Sequence, residues 1–414
     1  MSEVLPNGWR LEALGKHITL QGGNAFNSSD FIVTGIPIVR ISNIKNSLVD
    51  LTEIVCVKES DELIKFRLKT GDILIAMSGA TTGKVGKYKI NSPAYLNQRV
   101  GRFLPKNNYS IDLSYIYQLV RQESFVNNIN INAIGGAQPN ISGKALESFK
   151  IYFPPLPEQQ KMASILTSVD EVIETTETQI NKLKDLKKGM MNELLTKGVG
   201  HTEFKDSPVG RIPVGWEVEK LDNLCDKITD GEHQTPKRAE HGYYLLSARN
   251  VKNGYLALKD VDYISQEEYN RLSKRVCPKQ NDILISCSGT IGRTALVPKN
   301  LKFGMVRSVA ILQPKHDLIS SHFLVQQIAS QHVQLQISKG LSQLAQANLF
   351  QGPIKAMKIP LPSLPEQQKI AKILTSIDTN IEQKQTKLTQ SKNLKKSLMA
   401  DLLTGRVRVN PDKN

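Results

Sequence analysis

LPEQQKMASILTSVD, residues 156–170, returns as LPEQQKIAKILTSID, residues 364–378, an offset of 208 with 12 of 15 positions identical. Such density is not chance, and it marks a duplication. At the same offset LKKGMMNELLTKGV (186–199) lies on LKKSLMADLLTGRV (394–407). The likeness reaches further with weaker identity and small shifts. Pro6-Asn7-Gly8-Trp9 matches Pro213-Val214-Gly215-Trp216, and DILI with a following Ser-Gly occurs at 72–79 and again at 282–289. AQPNI from Ala137 matches AQANL from Ala345. Two copies with a period of half the chain predict duplicated domains rather than a solenoid, whose repeats run about 20 to 50 residues.

Each LPEQQK block opens a long helix, because proline suits a first helical turn and apolar residues follow at alternating four- and three-residue steps. In the first copy Met162, Leu166, Val169, Ile173, Thr176, Ile180, Leu183, Met190 and Leu194 form this seam, interrupted at Lys187. The second has Ile370, Leu374, Ile377, Ile381, Leu388, Leu398 and Leu402, with Lys384, Ser391 and Lys395 on the same stripe. About 38 to 40 residues without proline give roughly 57 to 60 Å of helix, longer than a small globule. The two copies share one chain, so the seams are expected to pair antiparallel, leaving the polar positions either at that seam or facing a partner protein.

The segments between read as mixed α/β. Residues 37–41 (PIVRI), 72–76 (DILIA), 282–286 (DILIS) and 309–312 (VAIL) are short apolar strands, with helices expected at 113–127 and 320–337. The fold class is a duplicated α/β (α+β) one. Two globular domains, 1–155 and 200–362, alternate with two long helices, 156–199 and 363–414, the latter with a basic tail.

Composition narrows the partners. Lys plus Arg number 54 against 39 for Asp plus Glu, a formal charge of +15, which favours a polyanion such as nucleic acid. The four cysteines, Cys56, Cys225, Cys277 and Cys287, have no zinc or redox spacing and read as reduced core residues. No run suits a membrane span and MSEVLPNGWR lacks a signal pattern, so the cytoplasm is the expected location.

Catalytic motifs are missing. Residues 78–85 (SGATTGKV) resemble a phosphate loop but are one residue short between the glycines and carry Val85 where magnesium needs a hydroxyl. Nothing resembles a methyltransferase cofactor turn or its Asn-Pro-Pro-aromatic segment. Glu203-Phe204-Lys205 has no upstream acidic partner for nuclease chemistry, and the seven histidines form no metal-spaced pair. The expected metal and catalytic sets are therefore empty.

What recurs in both halves is a set of polar, glycine-bearing loops. Ser78, Thr81 and Lys84 correspond to Ser288, Thr290 and Arg293, on loops whose glycines either let backbone approach phosphate or serve a hairpin turn. Gln98 and Arg99 correspond to Arg307 and its neighbour, and Gln138 and Asn140 to the stretch containing Gln346. Arg40 with Asn43, and Arg249 with Asn250, follow equivalent strands, while His233 and Thr235 lie on a polar loop of the second half. Amides pair with adenine edges and arginine with guanine or phosphate, so these residues are the candidate DNA-binding set.

Two α/β globules, each followed by a long helix that starts LPEQQK and ends LLT, resemble the specificity subunit of type I restriction-modification systems over essentially the whole chain. The resemblance implies target recognition domains joined by a coiled-coil spacer, binding to double-stranded DNA at a split target, and no catalysis by this chain. Two modification subunits would carry S-adenosylmethionine and adenine-N6 methyl transfer, and restriction subunits would bring ATP- and magnesium-dependent cleavage. This chain itself would hold no cofactor. Glu158, Gln159, Gln160, Lys161 and Glu366, Gln367, Gln368, Lys369 become the expected partner-subunit interface, and helix length the expected ruler for the unread DNA. A coiled-coil scaffold without base readout is the alternative.

Overall fold

The computed structural model describes residues 5–45, 47–107, 110–133, 139–342 and 348–411, apart from the side chain of Ser342. The chain divides into two compact units, Met1–Glu177 with Lys387–Asn414, and Thr178–Thr386. Each unit thus holds one globule, the half-helix attached to it and the far half of the other long helix.

The two globules repeat one plan. In the first unit, strands Ile18–Gly22, Val100–Pro105, Ile73–Ala76, Val85–Lys87 and Ser47–Leu48 form one sheet in that order. A second sheet orders Cys56–Val57, Ile36–Val39, Ala94–Leu96 and Arg67–Leu68, with Ile38 parallel to Tyr95. In the second unit the counterparts are Cys225–Asp230, Val309–Pro314, Ile283–Ser286 and Thr294–Leu296, and then Arg238–Ala239, Asp262–Ile264, Tyr243–Leu246 and Phe303–Met305. Every residue of Ile73–Ala76 and Ile283–Ser286 is buried, which is why these strands read as unbroken apolar runs rather than alternations.

Both expected globular helices are interrupted, at positions 208 residues apart. Leu113–Leu119 and Glu123–Asn132 flank Gln122, and Ser321–Ala329 and Gln331–Ser342 flank Ser330. Gln122 and Ser330 are both extended, with ψ of 141° and 154°. The Ser330 N–H and hydroxyl both donate to the Gln327 carbonyl, and the Ser330 carbonyl accepts from Gln334, so this serine ends one helix and starts the next.

The long helices run Leu156–Lys197, 42 residues, and Leu364–Leu402, 39 residues, about 63 and 58 Å at the standard rise. They pair antiparallel. In the first unit Met162, Ala163 and Leu166 share a core with Leu402 and Leu403, and in the second Leu195 shares one with Ile370, Ala371 and Leu374. Every seam position of the first helix is at least half-buried. The lysines on the stripe stay within the pair: Lys187 Nζ donates to Asp378 at 2.8 Å, Lys395 to Asp170 at 2.6 Å, and Lys384 to Gln179 at 2.7 Å.

Cys56, Cys225 and Cys287 are buried as expected, and burial pushes the Cys225 and Cys287 thiols up to about 12. Cys277 departs from the expectation and is exposed, because it lies in the irregular stretch before Ile283–Ser286 rather than on a strand.

Candidate nucleic-acid interface

In the first unit the hairpin between Ile73–Ala76 and Val85–Lys87 closes through Gly83 N–H to the Ala76 carbonyl, 2.8 Å, and Ala76 N–H to the Lys84 carbonyl, 2.9 Å. The second unit repeats this with Gly292 N–H to Ser286 and Ser286 N–H to Arg293, both 2.9 Å. Gly79 and Gly289 stand at φ +74° and +65°, so the glycines are explained by the turn.

Two more segments dock on each hairpin. Met77 N–H donates to the Arg99 carbonyl (3.0 Å) and Ile141 N–H to Met77 (2.9 Å); Cys287 N–H donates to Ser308 and Leu349 N–H to Cys287, both 2.8 Å. Residues 97–100 and 306–309 are tight turns closed by Val100 N–H to Asn97 and Val309 N–H to Val306. Three loops far apart in sequence therefore meet in the same frame in both units.

In the first unit this frame surrounds an open notch of about 500 Å³ lined by Ser78, Gln98, Arg99 and Asn140 with Met77, Gly79, Ile141 and Ser142. Gln98, Arg99 and Asn140 are exposed, while Ser78 is 9% exposed and its hydroxyl has no hydrogen-bond partner among the described residues. A polar notch with an unsatisfied floor suits a ligand rich in donors and acceptors. Thr81 and Lys84 are not part of its lining; Thr81 donates to the Ile41 carbonyl at 3.4 Å, and Lys84 is exposed. In the second unit Arg307 and Thr290 are exposed, Ser288 and Arg293 half-buried. Gln138 and Gln346 lie outside the described residues.

Sequence reading singled out the second-unit loop 230–236 but missed its first-unit counterpart at Gly23-Asn24, and both belong to this frame. Gln98 N–H donates to the Asn24 carbonyl at 2.8 Å, as Arg307 N–H does to Glu232 at 3.0 Å, and a side chain on Gly23 or Gly231 would collide with backbone oxygens 2.1 and 2.4 Å away. The Gly22-Gly23-Asn24 run was the available signal. The Glu232 carboxyl is held below the usual range by the Gln234 N–H and then by Arg271, whose guanidinium lies 3.2 Å away and offsets its charge. His233 lies 2.9 Å from Asp230 and remains exposed, as does Thr235.

Asn43 and Asn250 are corrected. They are 2% and 1% exposed, and each amide donates to two loop carbonyls, Asp50 and Glu53 for Asn43, Ala257 and Asp260 for Asn250, all at 2.9 to 3.0 Å. Their carbonyls accept the backbone N–H of Arg40 and Ser247. These asparagines knit a loop and are not available to DNA. Arg40 is half-buried beside Asn43, and exposed Arg249 pairs with Asp262 at 2.9 Å.

Four residues of the expected partner face are likewise turned inward. Glu158 accepts from Trp9 at 3.1 Å and from Arg408; Glu366 accepts from Trp216 at 3.1 Å, the Val199 N–H at 3.0 Å and His201 at 2.8 Å. Gln159 and Gln367, each 1% exposed, cap the preceding chain: Gln159 bonds Asp112 N–H, Ser110 and Pro154, and Gln367 bonds Ser320 N–H, Leu318 and Pro362. Of the two blocks Gln160, Gln368 and Lys369 are exposed and Lys161 is half-buried.

The sequence profile for the "Type I restriction modification DNA specificity domain" matches twice, over residues 6–185 and 213–391. The chain belongs to the type I restriction-modification DNA specificity family. Among relatives in this specificity family, the type I restriction enzyme MjaVIII specificity subunit of Methanocaldococcus jannaschii is 32% identical over 349 residues, covering 82% of this chain and 79% of that one. The EcoBI specificity subunit of Escherichia coli is 23% identical over 98% of this chain and 89% of its own length. In fold, the chain is similar to the crystal structure of the S subunit from M. genitalium, with a TM-score of 0.67, 16% identity and coverage of 97% and 98%. Specificity subunits of this family serve DNA target recognition. Among the described residues no group of three or more His, Cys, Asp or Glu could hold a metal, and no helix is long and apolar enough to cross a membrane.

Proposed function

We propose that this chain is the non-catalytic recognition subunit of a type I restriction-modification complex and reads a bipartite target in double-stranded DNA, one part with each unit. The observation that carries the reading is the recurrence of one three-loop backbone frame in both units, with the exposed amides of Gln98 and Asn140 and the Arg99 guanidinium on the first and the exposed Thr290 hydroxyl and Arg307 guanidinium on the second. Two modification subunits dock on the helical pair and bring S-adenosylmethionine; restriction subunits bring ATP- and magnesium-dependent cleavage. The chain itself holds no cofactor and works in the cytoplasm. Helix length sets the unread spacer. Selection from random duplex DNA with co-expressed modification subunits tests this. Two short motifs at a fixed separation support it; tight binding without sequence preference, or methyl transfer by the pure chain, overturns it and favours a scaffold or an enzyme.

A further inference from the structure

Equivalent frames carrying different side chains locate specificity, because whatever is shared cannot distinguish two half-sites. The turn at 97–100 and the turn at 306–309 are held by the same four backbone bonds. One closes the turn, and one runs from Asn97 or Val306 N–H to the Val39 or Leu246 carbonyl. Another runs from Gln98 or Arg307 N–H to Asn24 or Glu232, and the last arrives from the Met77 or Cys287 N–H. At the first central position stands Gln98 in one unit and Arg307 in the other, both exposed. At the second central position the roles diverge. Ser308 is turned inward, accepting the Ala248 N–H at 3.1 Å, whereas Arg99 is exposed on the rim of the notch. Arg307 is therefore the one long side chain its turn offers outward.

We infer that Gln98 and Arg307 are base-reading residues at equivalent places in the two half-sites, Gln98 for adenine and Arg307 for guanine. The inference rests on the DNA-reading function proposed above and adds the identity of one base in each part. A glutamine amide donates to N7 and accepts from N6 of adenine in a bidentate pair, and a guanidinium donates twice to O6 and N7 of guanine; neither pairing transfers to the other purine without losing a bond. Beside Gln98, the buried hydroxyl of Ser78, which has no hydrogen-bond partner among the described residues, and the exposed amide of Asn140 add neutral donors and acceptors to a notch whose rim carries Arg99, and paired donors and acceptors are what an adenine edge presents.

The test uses the full chain with co-expressed modification subunits in selection from random duplex DNA, comparing the unaltered protein with Gln98→Arg and Arg307→Gln. The expected result for Gln98→Arg is that one position of the first motif changes from adenine to guanine, with about five- to 150-fold discrimination, while the second motif is untouched. Arg307→Gln should make the reciprocal change in the second motif. Gln98→Asn, which keeps the amide, should retain adenine with weaker discrimination. Motifs unchanged in both variants overturn the inference, and so does a loss that is equal on every sequence, the signature of a phosphate contact. If the unaltered protein itself selects no motif, it is the recognition function that fails, and the two outcomes are told apart by that control.

Discussion

Lys395 Nζ lies 2.6 Å from Asp170, and Lys187 Nζ lies 2.8 Å from Asp378: one ion pair, written twice at the offset of the sequence repeat. Each aspartate also accepts from a glutamine of its own globule, Gln118 at 2.9 Å and Gln326 at 3.2 Å. In each unit a carboxylate thus ties the recognition globule to both long helices. The copies differ in one partner. Arg121 adds a 3.0 Å pair to Asp170, while the position 208 residues later is Ala329.

Asp170→Asn should therefore destabilise the first unit, leaving Lys395, only 8% exposed, beside Arg121 without its counter-charge. The expected loss is about 1 to 3 kcal/mol, below that of a fully buried pair because the carboxylate keeps part of its hydration. Burial raises the Asp170 pKa, but Arg121 and Lys395 outweigh it and the net shift is downward. A carboxylate with a depressed folded pKa stabilises above its unfolded value and loses that stabilisation as pH falls through the folded one. The gap between the unaltered protein and Asp170→Asn in urea unfolding should be full at about pH 6 and close below about pH 4. A gap that persists in acid would place the effect in packing instead.

Asn250→Ala should behave as a folding lesion and not as a recognition one. It strands the Ala257 and Asp260 carbonyls and the Ser247 N–H inside a loop, for about 2 to 3 kcal/mol. The second unit should melt earlier, and whatever protein remains folded should select an unchanged DNA motif. Altered base preference at full stability would restore Asn250 to the reading set.

The contrast between Asn250 and Gln98 marks what sequence could tell. The long helices, their antiparallel seam and the strand Ile73–Ala76 followed from periodicity and repetition, because local spacing dictates which face is apolar. Asn43 and Asn250 were misread because an asparagine after an arginine looks the same whether it faces DNA or two carbonyls seven and ten residues on. Gln159 reaches Asp112, 47 residues away, and Asn24 meets Gln98 through chain closure alone. The helix breaks at Gln122 and Ser330 carry neither proline nor glycine. Such features are set by tertiary closure, which leaves no local pattern.

Glu366→Ala should loosen the exit of the first long helix. This carboxylate takes the Val199 N–H, His201 and the Trp216 indole within 3.1 Å, and its removal leaves the indole donor of a residue 1% exposed unpaired. A loss of about 2 to 4 kcal/mol is expected, with Trp216 fluorescence shifting to the red before the main unfolding transition. Gln368→Ala, two residues on and exposed, should leave stability unchanged and so serves as the control for the helix start. Equal stability of Glu366→Ala and Gln368→Ala would reduce the clasp to a surface contact.

Lys84 should give a different outcome from Gln98, although both were placed in one DNA-binding set. Gln98 lines the notch, whereas Lys84 closes the hairpin with its carbonyl bound to Ala76 and its side chain exposed outside the lining. A flexible ammonium beside a glycine turn acts on DNA as a point charge, which positions the duplex and carries no sequence information. Lys84→Ala should weaken binding alike on matched and mismatched targets. A protein that neutralises one phosphate fewer displaces about one counterion fewer, so the slope of log affinity against log salt should fall by about one, and the selected motif should not move. Titrations at several salt concentrations on both targets decide it: a loss confined to the matched target would make Lys84 a base reader after all.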